Sequence, residues 1–189
     1  MKRKFLPMVI LSWLILCSAV LVLAASDIPT NKQTILGLYL TAEEAFSKWH
    51  VDSENVVVLD VRTPEEYIFV GHAPMARNIP VRVLNQELTA KKRRPVMEMN
   101  PGFVSQVKKD YKVTDTILIM CRSGGRSALA VNLLAEAGFQ QVYNITDGFE
   151  GDAVKDPQSY YNGKRVKNGW RNSGASWTYR LDPNLMYHP

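Results

Sequence analysis

The feature that most constrains the fold is the run Thr116-Ile117-Leu118-Ile119-Met120-Cys121-Arg122-Ser123-Gly124-Gly125-Arg126-Ser127. Its first part, rich in β-branched and apolar side chains, reads as a buried strand. The strand stops at one cysteine, and a helical pattern begins at Ala128-Leu129-Ala130-Val131 and continues to Leu134 and Ala137. A thiol therefore sits where strand gives way to helix. That is where a parallel α/β sheet binds ligands, outside the carboxyl ends of its strands. Gly124 and Gly125 let the backbone turn its N–H groups inward, and a helix N-terminus adds partial positive charge. Arg122 and Arg126 supply full charges. The surroundings favour a thiolate and an anion, and they mark Cys121 as a nucleophile. A structural cysteine packs as a small hydrophobe and has no use for two glycines and two cations beside it.

The rest of the chain supplies the elements such a sheet needs. Ile35 to Leu40 reads as a first strand, and Thr41-Ala42-Glu43-Glu44 as a capping box opening a helix that turns Ala45, Phe46 and Trp49 inward. Val56-Val57-Val58-Leu59-Asp60-Val61-Arg62 is a continuous apolar strand ending in an acid and a base, the pattern of a strand covered on both faces. Thr63 then caps a short helix with Pro64 at its first position. Gly71-His72-Ala73-Pro74 reads as a turn, and Ala76 to Pro80 as a short strand. Val81 to Asp110 reads as helix and loop, interrupted by Pro95 and Pro101. Gly138 ends the helix that follows Cys121. Gln141 to Ile145 is a further strand, with a turn over Thr146 to Asp152. Strands alternating with helices predict an α/β fold: a doubly wound sheet of about five mainly parallel strands with helices on both faces.

The ends differ from this middle. Lys2, Arg3 and Lys4 precede an apolar stretch from Phe5 to about Leu23, followed by Ala24, Ala25 and Ser26. Residues 1–25 thus have the plan of a secretory signal peptide, with an uncleaved N-terminal anchor over residues 5–23 as the alternative. Either exports the domain, to the periplasm or another extracytoplasmic space. Residues 26–34 are polar and suit a linker. The formal charge of +5 is largely set by that start, since subtracting its three cations leaves +2. A charge so small argues against a nucleic-acid partner. The run Lys91-Lys92-Arg93-Arg94 reads as a solvated face, because four consecutive charges cannot share one side of a helix. Cys17 lies in the apolar stretch, so Cys121 is the domain's only thiol and has no internal disulfide partner. Residues 153–189, rich in Asn, Gly, Tyr and Trp, read as an irregular tail whose rings dock onto the domain. The histidines His50, His72 and His188 lack a metal-ligand spacing, and no cofactor is called for.

Several separated segments together resemble one family. They are Leu59-Asp60-Val61-Arg62 with Pro64-Glu65-Glu66-Tyr67, Gly71-His72 through Ala76, Asn78, Ile79 and Pro80, Cys121 to Ser127, and Asp147-Gly148-Phe149. In that order they resemble a single rhodanese domain, spanning residues 35–152. The tail around Gly169-Trp170-Arg171-Asn172-Ser173-Gly174 to Trp177 looks like the ending of some exported members. The resemblance implies sulfurtransfer, in which sulfane sulfur leaves a donor such as thiosulfate or polysulfide, rests on Cys121 as a persulfide, and passes to cyanide or a thiol. Arg122, Ser123, Gly124, Gly125, Arg126 and Ser127 would bind the donor and the persulfide, with Arg122 and Arg126 as anion clamps. Asp60, Arg62 and Glu66 are supporting residues, with Glu66 a partner for Arg62, and His72 serves a turn rather than acting as a base.

Two other readings share these residues. An exported persulfide carrier would hold sulfur for a protein acceptor, its aromatic tail presenting or covering the loop. A cysteine phosphatase or arsenate reductase would use a similar loop. Cysteine phosphatases place five residues between Cys and Arg, however, and here there are four, Arg122 to Gly125. The shorter cradle favours sulfur over phosphate.

Overall fold

The computed structural model describes residues 28–189. Residues Asn31–Pro189 form a compact unit, the second of the two into which the chain divides. The expected signal or anchor, residues 1–25, lies outside the described residues, and no described helix is long and apolar enough to cross a membrane.

The second unit is built on five parallel strands in the order β1-β7-β6-β2-β3. These are β1 (Tyr39–Leu40), β2 (Val56–Asp60), β3 (Arg77–Asn78), β6 (Thr116–Met120) and β7 (Val142–Ile145). The central β6 shows why the site forms where it does. Successive side chains of a strand point to opposite faces, and Ile117, Ile119 and Cys121 enter one buried cluster while Leu118 and Met120 enter the other. The first cluster packs Phe103 and Val107 of α4 (Phe103–Asp110), with Ala130, Val131 and Leu134 of α5 (Gly125–Glu136), against the sheet. The second packs Ala42 and Ala45 of α1 (Ala42–Val51) against Val58, Leu118, Phe149 and Trp170. Cys121 therefore continues the strand's alternation onto the α5 face, one step beyond the last ladder position. In β2, Asp60 pairs with Met120, so both strands end level with the cysteine.

Local rules account for the helix starts. Thr41 and Thr63 each cap a helix in a complete capping box, with Glu44 and Glu66 reaching back to the cap N–H. The second box opens α2 (Pro64–Val70), with Pro64 at its start.

Two expectations are corrected. The first strand is only Tyr39–Leu40, because residues 34–37 close a turn in which the Gly37 N–H donates to Thr34 O. The segment 81–110 holds more than helix and loop. Its β4 (Arg82–Leu84) and β5 (Met97–Met99) form an antiparallel ribbon across the exposed helix α3 (Gln86–Lys92). Each strand is three residues long, too short for a two-residue period to declare itself. Val81 N–H donating to Val61 O ties the ribbon to the main sheet, and Asn100 N–H donating to Val81 O closes the ribbon's end.

The tail is irregular apart from one 3-10 turn, Trp170–Asn172. Trp170 is fully buried, edge-on to Phe46 at 5.7 Å, with its Nε1–H donating to Ser176 O. Asp147 fastens the tail's entry: its two oxygens accept from the Ala42 and Gly169 N–H groups. Burial raises its pKa, and those two bonds oppose the shift. Further on, His72 and Thr178 exchange backbone hydrogen bonds, and Leu185 O accepts from Asn78 N–H. Tyr160, Tyr161 and Tyr179 remain exposed.

Candidate active site

Cys121 lies between the end of β6 and the start of α5, 2% exposed, and lines a cavity of about 550 Å³. The loop after it is fixed from behind through its carbonyls. Cys121 O accepts from Phe149 N–H, and Arg122 O accepts from the Glu150 and Gly151 N–H groups. The two segments approach so closely that glycine is required at both contacts. A Cβ on Gly148 would lie 2.5 Å from Cys121 O, and one on Gly124 2.1 Å from Thr146 O. Both glycines also have positive φ, 64° and 95°. With its carbonyls turned to the 146–151 segment, the loop keeps its donors for the other side. Among the described residues, none of the backbone N–H groups from Arg122 to Ser127 meets a protein acceptor. Six successive donors opening a twelve-residue helix are suited to an anion or a sulfur carrying negative charge.

Ser127 sits beneath the sulfur. Its hydroxyl is 3.5 Å from Cys121 Sγ, 3.0 Å from Gly124 O and 2.7 Å from Asn144 Oδ1. One proton serves three acceptors, so the hydroxyl can turn toward the sulfur when charge gathers there. Asn144 is held in the matching orientation, its Nδ2 donating to Lys32 O.

The arginines do not share one role. Arg126 forms a two-pronged ion pair with Glu66, Nη1–Oε2 at 2.6 Å and Nη2–Oε1 at 2.7 Å, with both side chains largely buried. Burial pushes the Glu66 carboxyl up, but the hydrogen bond and charge of Arg126 outweigh it and hold the pKa below the ordinary value. Arg126 is thus occupied by a carboxylate of the protein, where a clamp on substrate was expected. Glu66 is correspondingly not the partner of Arg62. Asp60 is, in a fully buried pair at 2.6 Å, with Arg62 Nη2 also donating to Gly71 O and the guanidinium 4.0 Å above the Phe149 ring. Asn78 Nδ2 donates to the carbonyls of both Asp60 and Arg62. This cluster joins the end of β2, the turn at Gly71 and β3 behind the cysteine loop. His72 stacks on Tyr67 at 3.9 Å, and its two ring nitrogens face Tyr67 O and Arg180 O, so it belongs to the turn and the tail. Arg122 is exposed at the cavity.

Several lining residues have no counterpart in the sequence expectations. Arg82 and Met97 come from the unforeseen ribbon, and Leu129 and Asn31 complete the wall. Asn144 had one usable signal, a lone amide in an otherwise apolar buried strand. Nothing local in the sequence distinguishes Arg82.

Comparison with known proteins follows the same outline. The family model for the rhodanese-like domain matches residues 44–153, more than half of the chain. The chain belongs to the rhodanese-like domain family. It is 41% identical over 91 residues to thiosulfate sulfurtransferase 16, chloroplastic, of Arabidopsis thaliana, covering 48% of this chain and 68% of that protein. It is 29% identical over 127 residues to the uncharacterized protein RP600 of Rickettsia prowazekii, covering 67% and 86%. The crystal structure of Rv0390 from M. tuberculosis superposes with a TM-score of 0.59 at 25% identity, over 75% of this chain and 97% of that one.

Proposed function

We propose that this rhodanese-like protein is a sulfurtransferase that carries sulfane sulfur on Cys121. The observation that carries the reading is a buried free thiol facing a cavity through a loop whose six N–H groups, among the described residues, have no protein acceptor. With thiosulfate as donor, the Cys121 thiolate attacks the outer sulfur and the S–S bond breaks. Its electron pair leaves with sulfite, and Cys121 becomes a persulfide anion. Cyanide or a thiolate then attacks the terminal sulfur, taking it as thiocyanate or a new persulfide and restoring the Cys121 thiolate. Two modest displacements replace one difficult transfer. The loop donors and the Ser127 hydroxyl stabilise the persulfide anion between them, as preorganised dipoles do. The name of the Arabidopsis relative supports thiosulfate as a donor. The donor class is a small sulfur-containing anion, and the acceptor a thiol, cyanide or a protein thiol.

The carrier reading takes its cue from the aromatic tail. No residue of 153–189 is among those lining the cavity, so the tail supplies neither cover nor wall there. Export is proposed on Lys2, Arg3, Lys4 and the apolar stretch after them, and the mass of the protein recovered from its native host tests it. Steady-state thiocyanate formation from thiosulfate and cyanide by the full chain tests the activity, with Cys121→Ser beside it. The expected outcome is turnover abolished by the substitution. No thiocyanate from the wild type would remove the enzyme reading, and unchanged turnover in Cys121→Ser would remove the mechanism.

A further inference from the structure

We infer that Arg82, on the β4–β5 ribbon, is the residue that selects anionic donors for Cys121, in the role that Arg126 cannot fill. The inference rests on the sulfur-transfer reading above and names the element that sets its specificity. In the antiparallel ladder Arg82 faces Met99 and Leu84 faces Met97, so these four side chains share one face of the ribbon. That face is turned to the site: Arg82 and Met97 both line the Cys121 cavity, and Met97 Sδ lies 3.5 Å from Arg126 Nη1. The backbone explains the placement. Val81 is hydrogen-bonded to Val61, whose own N–H donates to Met120 O, the residue before the cysteine.

Arg82 is also left in need of a partner, whereas Arg62 and Arg77, which likewise carry an unmatched donor, are held in ion pairs. Its Nε is buried with no hydrogen-bond acceptor, and no ion pair or side-chain hydrogen bond of Arg82 occurs among the described residues. A buried, unmatched donor on a permanent cation is costly, and such groups ask for an explanation. An oxyanion in the cavity supplies one, since a guanidinium fork matches two oxygens of a sulfonate-like group. Arg126, its fork filled by Glu66, offers no such vacancy. Arg122 is exposed at the rim, where solvent weakens its pull. The oxygens of thiosulfate would thus rest on Arg82 while the outer sulfur meets Cys121.

The test compares alkylation of Cys121 in the full chain by iodoacetate and by iodoacetamide, followed by peptide mass to separate it from Cys17. The two reagents differ chiefly in charge, so their rate ratio reports anion attraction at the thiol without requiring sulfurtransfer. Arg82→Gln should lower the iodoacetate-to-iodoacetamide ratio about tenfold or more, as loss of a hydrogen bond to a charged group implies, while Arg82→Lys keeps most of it. Inorganic sulfate should protect the wild type from iodoacetamide saturably, and protect Arg82→Gln far less. In turnover, Arg82→Gln should raise the thiosulfate KM with little change in kcat. An unchanged ratio in Arg82→Gln, or no protection of the wild type by sulfate, overturns the inference. Absence of thiocyanate with an Arg82-dependent ratio would instead remove the sulfurtransfer reading and leave the anion site standing.

Discussion

Replacing Glu66 with Gln tests how the site manages its charges, because stability and anion binding should move in opposite directions. Glu66 accepts two charge-assisted bonds from Arg126 and one from the Thr63 N–H. Glu66→Gln keeps the side-chain length and an oxygen for the Thr63 cap but removes the charge. Hydrogen bonds to charged groups contribute about 1.5–3 kcal/mol each. The partners are 15% and 21% exposed, so water screens part of that, and the released Arg126 can turn toward the cavity. A net loss of about 2 kcal/mol follows, or ~4–8 °C in Tm for a domain of this size. The pH dependence has a definite sign. The folded pKa of Glu66 is depressed below its ordinary 4.5. The pair's stabilisation is therefore complete above that value and is lost as pH falls through the folded pKa. Urea unfolding of wild type and variant should differ by the full amount near neutral pH and converge in strong acid. Freed Arg126 adds a cation to the cavity, so the thiosulfate KM should fall while stability falls. A difference within a few tenths of a kcal/mol at neutral pH, or one that persists unchanged in acid, would refute the ion-pair argument. A raised KM would refute the claim that Glu66 keeps Arg126 from the substrate.

Two further substitutions probe the scaffold. Trp170→Ala removes a fully buried ring edge-on to Phe46, and it should cost about 3–5 kcal/mol in chemical denaturation. A loss below about 1 kcal/mol would show that the tail is an appendage rather than part of the core. Gly124→Ala places a methyl 2.1 Å from Thr146 O at a φ of 95°. It should lower thiosulfate turnover at least about tenfold through displacement of the loop donors, and turnover near the wild-type level would refute the need for that close approach.

How far the sequence reached depended on the range of the interaction involved. The sheet was legible because β2 and β6 are five-residue apolar strands whose burial is written in each of them. The cysteine loop was legible because cysteine, glycines and charges lie within one heptapeptide. The capping box at Thr41 was legible for the same reason, its two bonds spanning three residues. What was missed is long-range. Arg126 and Glu66 are 60 residues apart, and no local pattern says that a carboxylate of α2 rather than a substrate fills that guanidinium. Asp60 and Arg62 are only two residues apart, yet nothing in the sequence says that Arg62 folds back onto Asp60 rather than reaching Glu66. The ribbon was missed because three-residue strands gain their identity only by pairing across a helix. That omission matters most, since it hid Arg82. The cysteine and its donors sit on the part of the chain that every local rule marks, whereas the proposed selector of the donor comes from a segment stabilised only by what it touches. On this reading the sulfur chemistry is carried by local sequence, and the proposed donor selectivity by tertiary placement. Changes in segment 81–99 should therefore alter which donor is used more readily than whether sulfur is transferred at all.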